Sequence, residues 1–322
     1  MALPTDSFTT YLAKGNREDL SDQIYRVAPE ETPFMMNIGK GKAEATYHEW
    51  QTQSLAAAVD TNAVLEGDDA TTDAATATAR VGNILQISDK VARVTGTQDA
   101  VDKAGRDSEM AYQEMLKGIE LRRDVEKQFL SNKASIAGNA TTARQSAGME
   151  SWLITNDDRG AGGAQGGFAA SSAGIVDAPT DGTQRAFTET ILKAVMLACF
   201  NAGSKPSQIY LGGFNKQVFS GFTGIADIRI SAPATGQASV VGAADVYESD
   251  FGRLTAIPSN FVRTRTALFV NPDMAAFDVL RDFHSVPLAK TGDTERRQVI
   301  LEYTLKVSND AAHGVAADLT TS

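Results

Sequence analysis

The chain has 322 residues, with 40 Asp+Glu against 30 Lys+Arg and a formal net charge of −10. That acidity argues against tight, sequence-specific binding of DNA or RNA, which needs a basic footprint. Hydrophobic residues are 42% and charged residues 22%, the balance of a folded protein, and a lone cysteine, Cys199, excludes a disulfide framework within the chain. Met1-Ala-Leu-Pro-Thr-Asp6 lacks a basic start followed by an apolar run, so no secretory signal is expected. No uninterrupted apolar run reaches the ~18 residues of a membrane span.

Residues 1–40 read as an extended arm with short structured pieces. Pro4, Pro29 and Pro33 each disfavour helix at the residue before them, and Asp19 to Val27 has room for a short helix. Such an arm cannot bury itself, so it is expected to lie on another surface, of the same chain or of a neighbour. Residues 43–53 carry β-formers, with Tyr47 and Trp50 as aromatic anchors, and residues 80–94 read as a second strand. Between them Glu66 to Ala79 holds four acids, no base, and otherwise only Gly, Ala and Thr, so it has little to bury. The pattern predicts a projecting β-loop. An isolated two-stranded hairpin is marginal in water, so this one needs a partner to lie on.

Residues 98–131 predict one long helix, with Thr97 as N-cap and Asp99 in the first turn. Asp99/Lys103, Asp102/Arg106, Glu120/Arg123 and Arg122/Glu126 fall at helical spacing, and Ala104, Ala111, Met115, Ile119 and Phe129 make a narrow apolar stripe. At about 1.5 Å per residue such a helix spans roughly 50 Å. That exceeds the roughly 40 Å diameter of a compact chain of this length, so a flattened molecule is expected, with bends at Gly105 and Gly118. Residues 157–182, with 13 of 26 positions Gly or Ala, fit no Gly-x-Gly-x-x-Gly register and read as a long flexible surface loop.

Phe187 to Ala202 predicts a helix apolar nearly all round, hence buried, with Gly203 as its stop and Cys199 as a small core hydrophobe. Ile209 to Leu211 then reads as a strand and Asn215 to Phe222 as a short helix, the marks of a mixed α/β layer. From Asp245 onwards the chain is mostly β, with strands at Val246 to Phe251, Leu254 to Pro258 and Ala267 to Val270. Val299, Leu301, Tyr303, Leu305 and Val307 alternate with Gln298, Glu302, Thr304 and Lys306, the clearest period-two strand in the chain. Lys290 to Thr294 is a turn, and Phe283 to Ala289 its antiparallel partner.

Motifs that carry chemistry are scarce. His48, His284 and His313 share no ligand spacing, so no metal is expected, and each reads as a surface or strand-packing residue. The chain has no Gly-x-Ser-x-Gly elbow and no Walker-type Gly-Lys-Ser/Thr, and Leu211 to Lys216 reads as a strand-to-helix turn. Cys199 has no evident His partner, and an apolar helix raises a thiol pKa. Asn156 to Gly160 and Glu66 to Asp69 lack the ligand series of a calcium loop and read as solvated acidic turns. Arg296 and Arg297 read as salt-bridge partners. No catalytic, cofactor or metal site is expected; the arm, the projecting loop and the long helix all need neighbours, as a subunit of a large assembly does.

The C-terminal third carries a resemblance. Val246-Tyr-Glu-Ser-Asp-Phe-Gly-Arg-Leu-Thr-Ala-Ile-Pro258 resembles a segment shared by a subfamily of tailed-bacteriophage major capsid proteins. So do Pro287 to Asp293, Glu302 to Leu305 and Asn309 to Gly314, and Tyr25 to Pro29 with Glu31 to Phe34 is similar to the stretch where such chains leave their arm. The order of elements matches the Hong Kong 97-type capsid fold, an α+β architecture.

The resemblance implies an N-terminal arm over 1–40, an extended loop over 41–95 lying on an adjacent subunit, and a peripheral domain with a spine helix over 96–149. It implies an axial domain over 150–280, peripheral strands over 281–308 that pair with the base of the extended loop, and a return to the axial domain over 309–322. The function implied is that of a structural, non-enzymatic shell subunit without cofactor. Pentamers and hexamers of it form the icosahedral head around double-stranded DNA, in the virion, after assembly in the bacterial cytoplasm. Only about 40 residues precede the loop, so a separate scaffolding protein and a portal are the implied partners; no membrane is implied. The loop has Lys42 and Lys90 at its base and no lysine near its tip, so no Lys–Asn cross-link is expected. Assembly contacts are expected at Lys42, Arg80 and Lys90 around the loop base and at Arg122 and Arg123 on the spine helix, setting register more than strength. Trp50 is expected either as an interface anchor or as packing within the hairpin base. An encapsulin-like shell around protein cargo is the alternative of the same fold.

Overall fold

A computed structural model describes residues 26–69, 75–169, 175–222 and 245–322. In chain order the N-terminal elements are α1 (Pro33–Asn37), β1 (Gly39–Lys42), β2 (Tyr47–Thr52), β3 (Ala79–Ile84), β4 (Gln86–Thr95), α2 (Gly96–Ala100) and α3 (Glu109–Phe129). The middle holds α4 (Met149–Trp152), β5 (Asp157–Asp158), β6 (Gly167–Ala169), β7 (Ile175–Asp177), α5 (Glu189–Asn201), β8 (Gln208–Leu211) and α6 (Gly213–Phe219). The C-terminal part is β9 (Val246–Ser249), β10 (Gly252–Pro258), β11 (Ala267–Val270), β12 (Ala275–Pro287), β13 (Thr294–Val307) and β14 (Gly314–Ala316). The short helix read from Asp19 falls almost wholly outside the described residues.

The period-two strand becomes β13, the centre of a four-stranded sheet in the order β1-β12-β13-β4. It pairs antiparallel with β12 and with β4, while β1 runs parallel to β12. The pairing with β4 places residues 86–95, at the base of the projecting loop, beside the C-terminal strands as expected. Val299, Leu301, Tyr303, Leu305 and Val307 join Leu121, Val125 and Phe129 of α3 in one buried cluster. The polar positions are covered too: Glu302 accepts from Arg144 and Arg281 at 2.6 and 2.8 Å, and Thr304 Oγ1 donates to the Ile84 carbonyl. From Leu301 to Leu305 β13 is therefore buried on both faces. β12 begins eight residues before the expected Phe283, with register shifts around Arg281.

The single helix expected over 98–131 is two. Thr95 caps α2, whose next residue Val101 is already extended, and Ser108 caps α3 through the Ala111 N–H. Gly105 between them has φ +76°, a conformation that ends helices. Capping side chains win over the modest helix propensity of Asp102 to Ser108. With 21 residues α3 is about 30 Å long, so the length argument for a flattened molecule loses its basis. The buried face of α3 is Met110, Leu121, Val125 and Phe129, whereas Met115 of the expected stripe is 50% exposed. Of the expected charge pairs Asp99–Lys103 stands at 3.9 Å, but Arg106 pairs with Glu109, Glu120 pairs with Lys117, and Glu126 is buried.

The second sheet has the order β5-β14-β11-β8-β10-β9 and lies between two cores. Tyr210, Leu268, Val270 and Val315 face the α3 cluster; Ile209, Leu211, Ala267, Phe269 and Ala316 face Leu192, Val195, Met196 and Cys199 of α5. Thr188 caps α5 and Gly203, at φ +87°, follows its end. Leu197 and Phe200 are nearly half exposed, so α5 has an open face and is not buried all round. Cys199 is the core hydrophobe expected, and burial pushes its thiol pKa up to about 12. His313 is also fully buried: Nδ1 accepts from the Asn271 N–H and Nε2 donates to the Met274 carbonyl, while burial lowers its pKa to about 4.

The stretch 157–182 is not a flexible loop in its described part. β6 and β7 pair antiparallel, and a Cβ at Gly160 would sit 2.0 Å from the Thr183 carbonyl oxygen and one at Gly166 2.2 Å from that of Asp177, so these two glycines are there for close packing. The Asn156 to Gly160 turn is not solvated either. Asp157 pairs with Arg159 at 2.9 Å, although burial still raises its pKa to about 6. Nearby, fully buried Glu150 accepts from Arg159, Arg263 and Thr266, and Arg263 and Arg265 both reach Asp181. Each buried charge here is paired, which is the condition for holding charges out of water.

Candidate assembly surfaces

The projecting loop is a two-stranded ribbon. β2 and β3 pair antiparallel from Tyr47↔Ile84 to Thr52↔Ala79. Asn83, fully buried, fixes its base: Nδ2 donates to the Leu305 carbonyl at 2.7 Å, and Oδ1 accepts from the Ala147 and Ile84 N–H groups. Trp50 packs on Trp152 with ring centres 5.4 Å apart and planes tilted by 36°, Trp152 lies parallel to Phe168, and Lys306 Nζ lies 6.0 Å from the Trp50 ring centre. His48 Nε2 meets the buried Asp278 carboxylate at 2.8 Å. Of the two readings of Trp50, packing in the hairpin base is the one these contacts describe.

Beyond Thr52 and Ala79 the described residues of the loop are exposed. Leu55, Val59, Val64 and Leu65 are 96, 67, 82 and 79% exposed. Asp60, Glu66, Asp68 and Asp69 are exposed among them, and no Lys or Arg occurs between 51 and 78. Four large apolar side chains in one acidic segment are left in water by a solitary subunit. Each would gain from burial against a partner. Sequence reading missed these four, because isolated apolar residues in an Ala/Thr/Asp stretch show neither helical nor strand periodicity.

An open face lies between α3 and β12. A groove of about 360 Å³ is lined by Met115, Ile119, Arg122 and Phe283, and an adjoining hollow of about 500 Å³ by Met36, Lys40, Arg122 and Phe283. Arg122, exposed, lies over the Phe283 ring at 5.7 Å, so the cation faces solvent above an apolar floor. Arg123 is half-buried over Phe261, with its Nε buried and unpartnered. Lys90 pairs with Asp124 of α3 at 2.7 Å, Arg80 with Glu49 at 2.5 Å, and Lys42 is exposed on the edge strand β1. The six expected contact residues thus do not form one cluster. Arg122 and Arg123 share α3, Lys90 joins them through Asp124, and Arg80 and Trp50 belong to the ribbon.

The second sheet offers another open face. Phe200 of α5 packs on Phe251 at 4.8 Å beside β9, the edge strand, and a hollow of about 440 Å³ there includes Lys193, Leu197, Tyr247 and Phe251. Among the described residues no group of His, Cys, Asp and Glu is placed to hold a metal ion.

Comparison with known proteins agrees with this architecture. The chain is 27% identical over 248 residues to the major capsid protein of Escherichia phage Phieco32, covering 69% of this chain and 70% of that one. The capsid structure of cyanophage P-SCSP1u superposes with a TM-score of 0.57 at 11% identity, over 99% of this chain and 97% of that chain. The holo-SrpI encapsulin complex of Synechococcus elongatus PCC 7942 gives 0.55 at 12% identity, over 96 and 94%. The fold is that of the Hong Kong 97-type capsids, and phage shells and encapsulins share it. What separates them is the family model: residues 4–320 match that of the SU10 major capsid protein, and the chain belongs to that family of phage capsid proteins.

Proposed function

We propose that copies of this chain assemble as pentamers and hexamers into the icosahedral head of a tailed phage, enclosing double-stranded DNA. The observation that carries the reading is the ribbon tip, with Leu55, Val59, Val64 and Leu65 exposed to water in the lone subunit. In this reading the ribbon lies over an adjacent copy, and the α3–β12 groove, with Arg122 and Lys40 at its rim, suits an apolar and acidic visitor. Lys42, Arg80, Lys90, Arg122 and Arg123 set register around that contact, and Trp50 holds the ribbon base at its working angle.

The domain map that goes with it is an arm over 1–40, an extended loop over 41–95, a peripheral domain over 96–149 and 281–308, and an axial domain over 150–280 to which 309–322 returns. Segments that order on a neighbour meet their conformational cost at assembly, and many modest contacts in a closed shell then act together. A net −10 per subunit leaves the DNA held by confinement. The role is structural, without catalysis or Lys–Asn cross-linking; a separate scaffolding protein and a portal complete the head in the host cytoplasm.

Electron microscopy and light scattering on the purified chain, alone and with a scaffolding protein from the same genome, test this. Closed shells, pentamers or hexamers are expected. A chain that stays monomeric with the scaffold present overturns the reading, and shells from the native source that hold protein cargo and no DNA favour an encapsulin-like role.

A further inference from the structure

Strand β14 is the last described element in chain order, yet it stands inside the second sheet, between β5 and β11. It pairs antiparallel with β11, from Ala267↔Ala316 to Phe269↔Gly314, and parallel with β5, Val315↔Asp157 and Ala316↔Asp158. Strand β5 has no other neighbour in that sheet. Past β14 the chain keeps both sides. The Leu319 N–H donates to the Arg265 carbonyl at 2.9 Å; opposite it, the Arg185 N–H donates to the Asp318 carbonyl at 2.7 Å and the Thr320 N–H to the Arg185 carbonyl at 2.9 Å.

The side chains of this segment are shared between the two cores. Val315 and Ala317 lie in the α3 cluster, Ala316 and Leu319 in the α5 cluster, and all four are buried. Gly314 passes so close to α5 that a Cβ there would stand 2.6 Å from Val195 Cγ1 and 2.9 Å from Cys199 Sγ. Asp318, fully buried, is the one non-glycine residue with a positive φ among the described residues, at +61°. Its Oδ1 accepts from Arg265 at 2.7 Å and its Oδ2 from the Gly160 N–H at 3.1 Å. A left-handed aspartate persists where its surroundings hold it there. Take the segment away, and the Gly160 and Arg185 N–H groups and the Asn156, Asp158 and Arg265 carbonyls all lose their partners. Unpaired backbone groups of that kind are costly in an interior.

We propose that residues 314–320 are a closing segment: the 156–185 region and the α5 layer join into one sheet only when it inserts between them. Every partner of the segment precedes it in the chain, so the second sheet waits for residue 320. The loop-closure cost of such distant pairings comes before their reward, which puts them late in folding. The device is a check on completeness, since a copy lacking these residues has no finished fold to bring to an assembly.

Pulsed hydrogen–deuterium exchange during refolding of the full chain from urea, on the dissociated subunit, tests this. Peptides over 156–163, 183–187 and 265–270 are expected to gain protection at the rate of 314–320 and never ahead of it. Complete protection of 156–163 and 265–270 while 314–320 still exchanges freely overturns the proposal. In native-state exchange with rising urea the same peptides should open together; a segment that opens alone, leaving 265–270 protected, is a detachable strap and refutes it equally. Asp318→Gly keeps the left-handed backbone and removes both carboxylate bonds, so the joint phase should slow at least about tenfold. An unslowed phase overturns the part given to Asp318. Should the variant not fold, the two wild-type measurements decide. All of these read the lone subunit, so a chain that closes in this way but makes no shells sinks the assembly reading alone.

Discussion

Replacing both Leu55 and Leu65 by Asp separates association from folding. Both side chains are in water in the lone subunit, at 96 and 79% exposure, so the variant removes no contact within the chain. Unfolding of the dissociated subunit is then expected to shift by no more than about 0.5 kcal/mol, or roughly 1–2 °C. If a neighbour covers the tip, each leucine contributes about 1.5–3 kcal/mol there, and the pair about 3–6. Each 1.4 kcal/mol is tenfold, so a single loop contact weakens by about two to four orders of magnitude. The new carboxylates also add to an already acidic tip. Light scattering and sedimentation across a concentration series, beside thermal unfolding of the subunit, read both effects. Shells at wild-type concentrations refute the claim that the tip is an interface; a subunit Tm lower by many degrees refutes the claim that these side chains are idle in isolation.

Three further outcomes follow from the packing. Asn83→Ala leaves the Ala147 N–H and Leu305 carbonyl contacts unmade at the ribbon base, and urea unfolding should show a loss of about 3 kcal/mol. Gly160→Ala places a methyl 2.0 Å from the Thr183 carbonyl oxygen and should cost at least about 2 kcal/mol in the same assay, whereas Gly162→Ala meets no atom but is strained by φ +80°. Cys199, buried and with its pKa pushed up to about 12, should resist a thiol-specific reagent in the native chain and react only at the unfolding rate; rapid labelling contradicts its place in the α5 core.

The sequence revealed the elements whose burial is periodic. The alternation from Val299 to Val307 pointed to β13 and its antiparallel neighbours, and the apolar run Phe187 to Ala202 with its Gly203 stop matches α5 within two residues. It misled where local capping or distant partners decide. Asp102 to Ser108 has only modest helix propensity, and Ser108 capping and the positive φ of Gly105 break the helix there. Glu126 has helical spacing to Arg122, and only the tertiary structure shows that α1 claims it. The glycines of 157–182 signalled flexibility by composition, whereas Gly160 and Gly166 are small because carbonyl oxygens press on them. Arg122 could be singled out by its place on a helix with other charges, whereas the exposure of Leu55, Val59, Val64 and Leu65 shows only once the ribbon is folded.

Acid affects this protein with opposing signs, which decides how its pH response must be measured. Glu126, with a folded value of about 7 against 4.5, makes the fold more stable as pH falls through that window. His313 does the reverse: folded at about 4 against 6.5, it stays neutral while the unfolded chain takes up a proton, so stability is lost as pH falls from 6.5 towards 4. Each effect is about 2.5 kcal/mol over pH 7 to 4.5, so as a pair they nearly cancel, while Asp157, raised to about 6, adds to the sign of Glu126. A flat urea midpoint across that range is therefore no argument against either group. Substituting His313→Gln lowers stability at every pH by disturbing a buried site, but it removes only one of the two signs. The gap between wild type and variant should thus narrow by about 2.5 kcal/mol from pH 7 to pH 4.5. A gap that stays constant means His313 does not remain neutral in the folded chain, and the burial argument applied to it, and by the same reasoning to Glu126, fails.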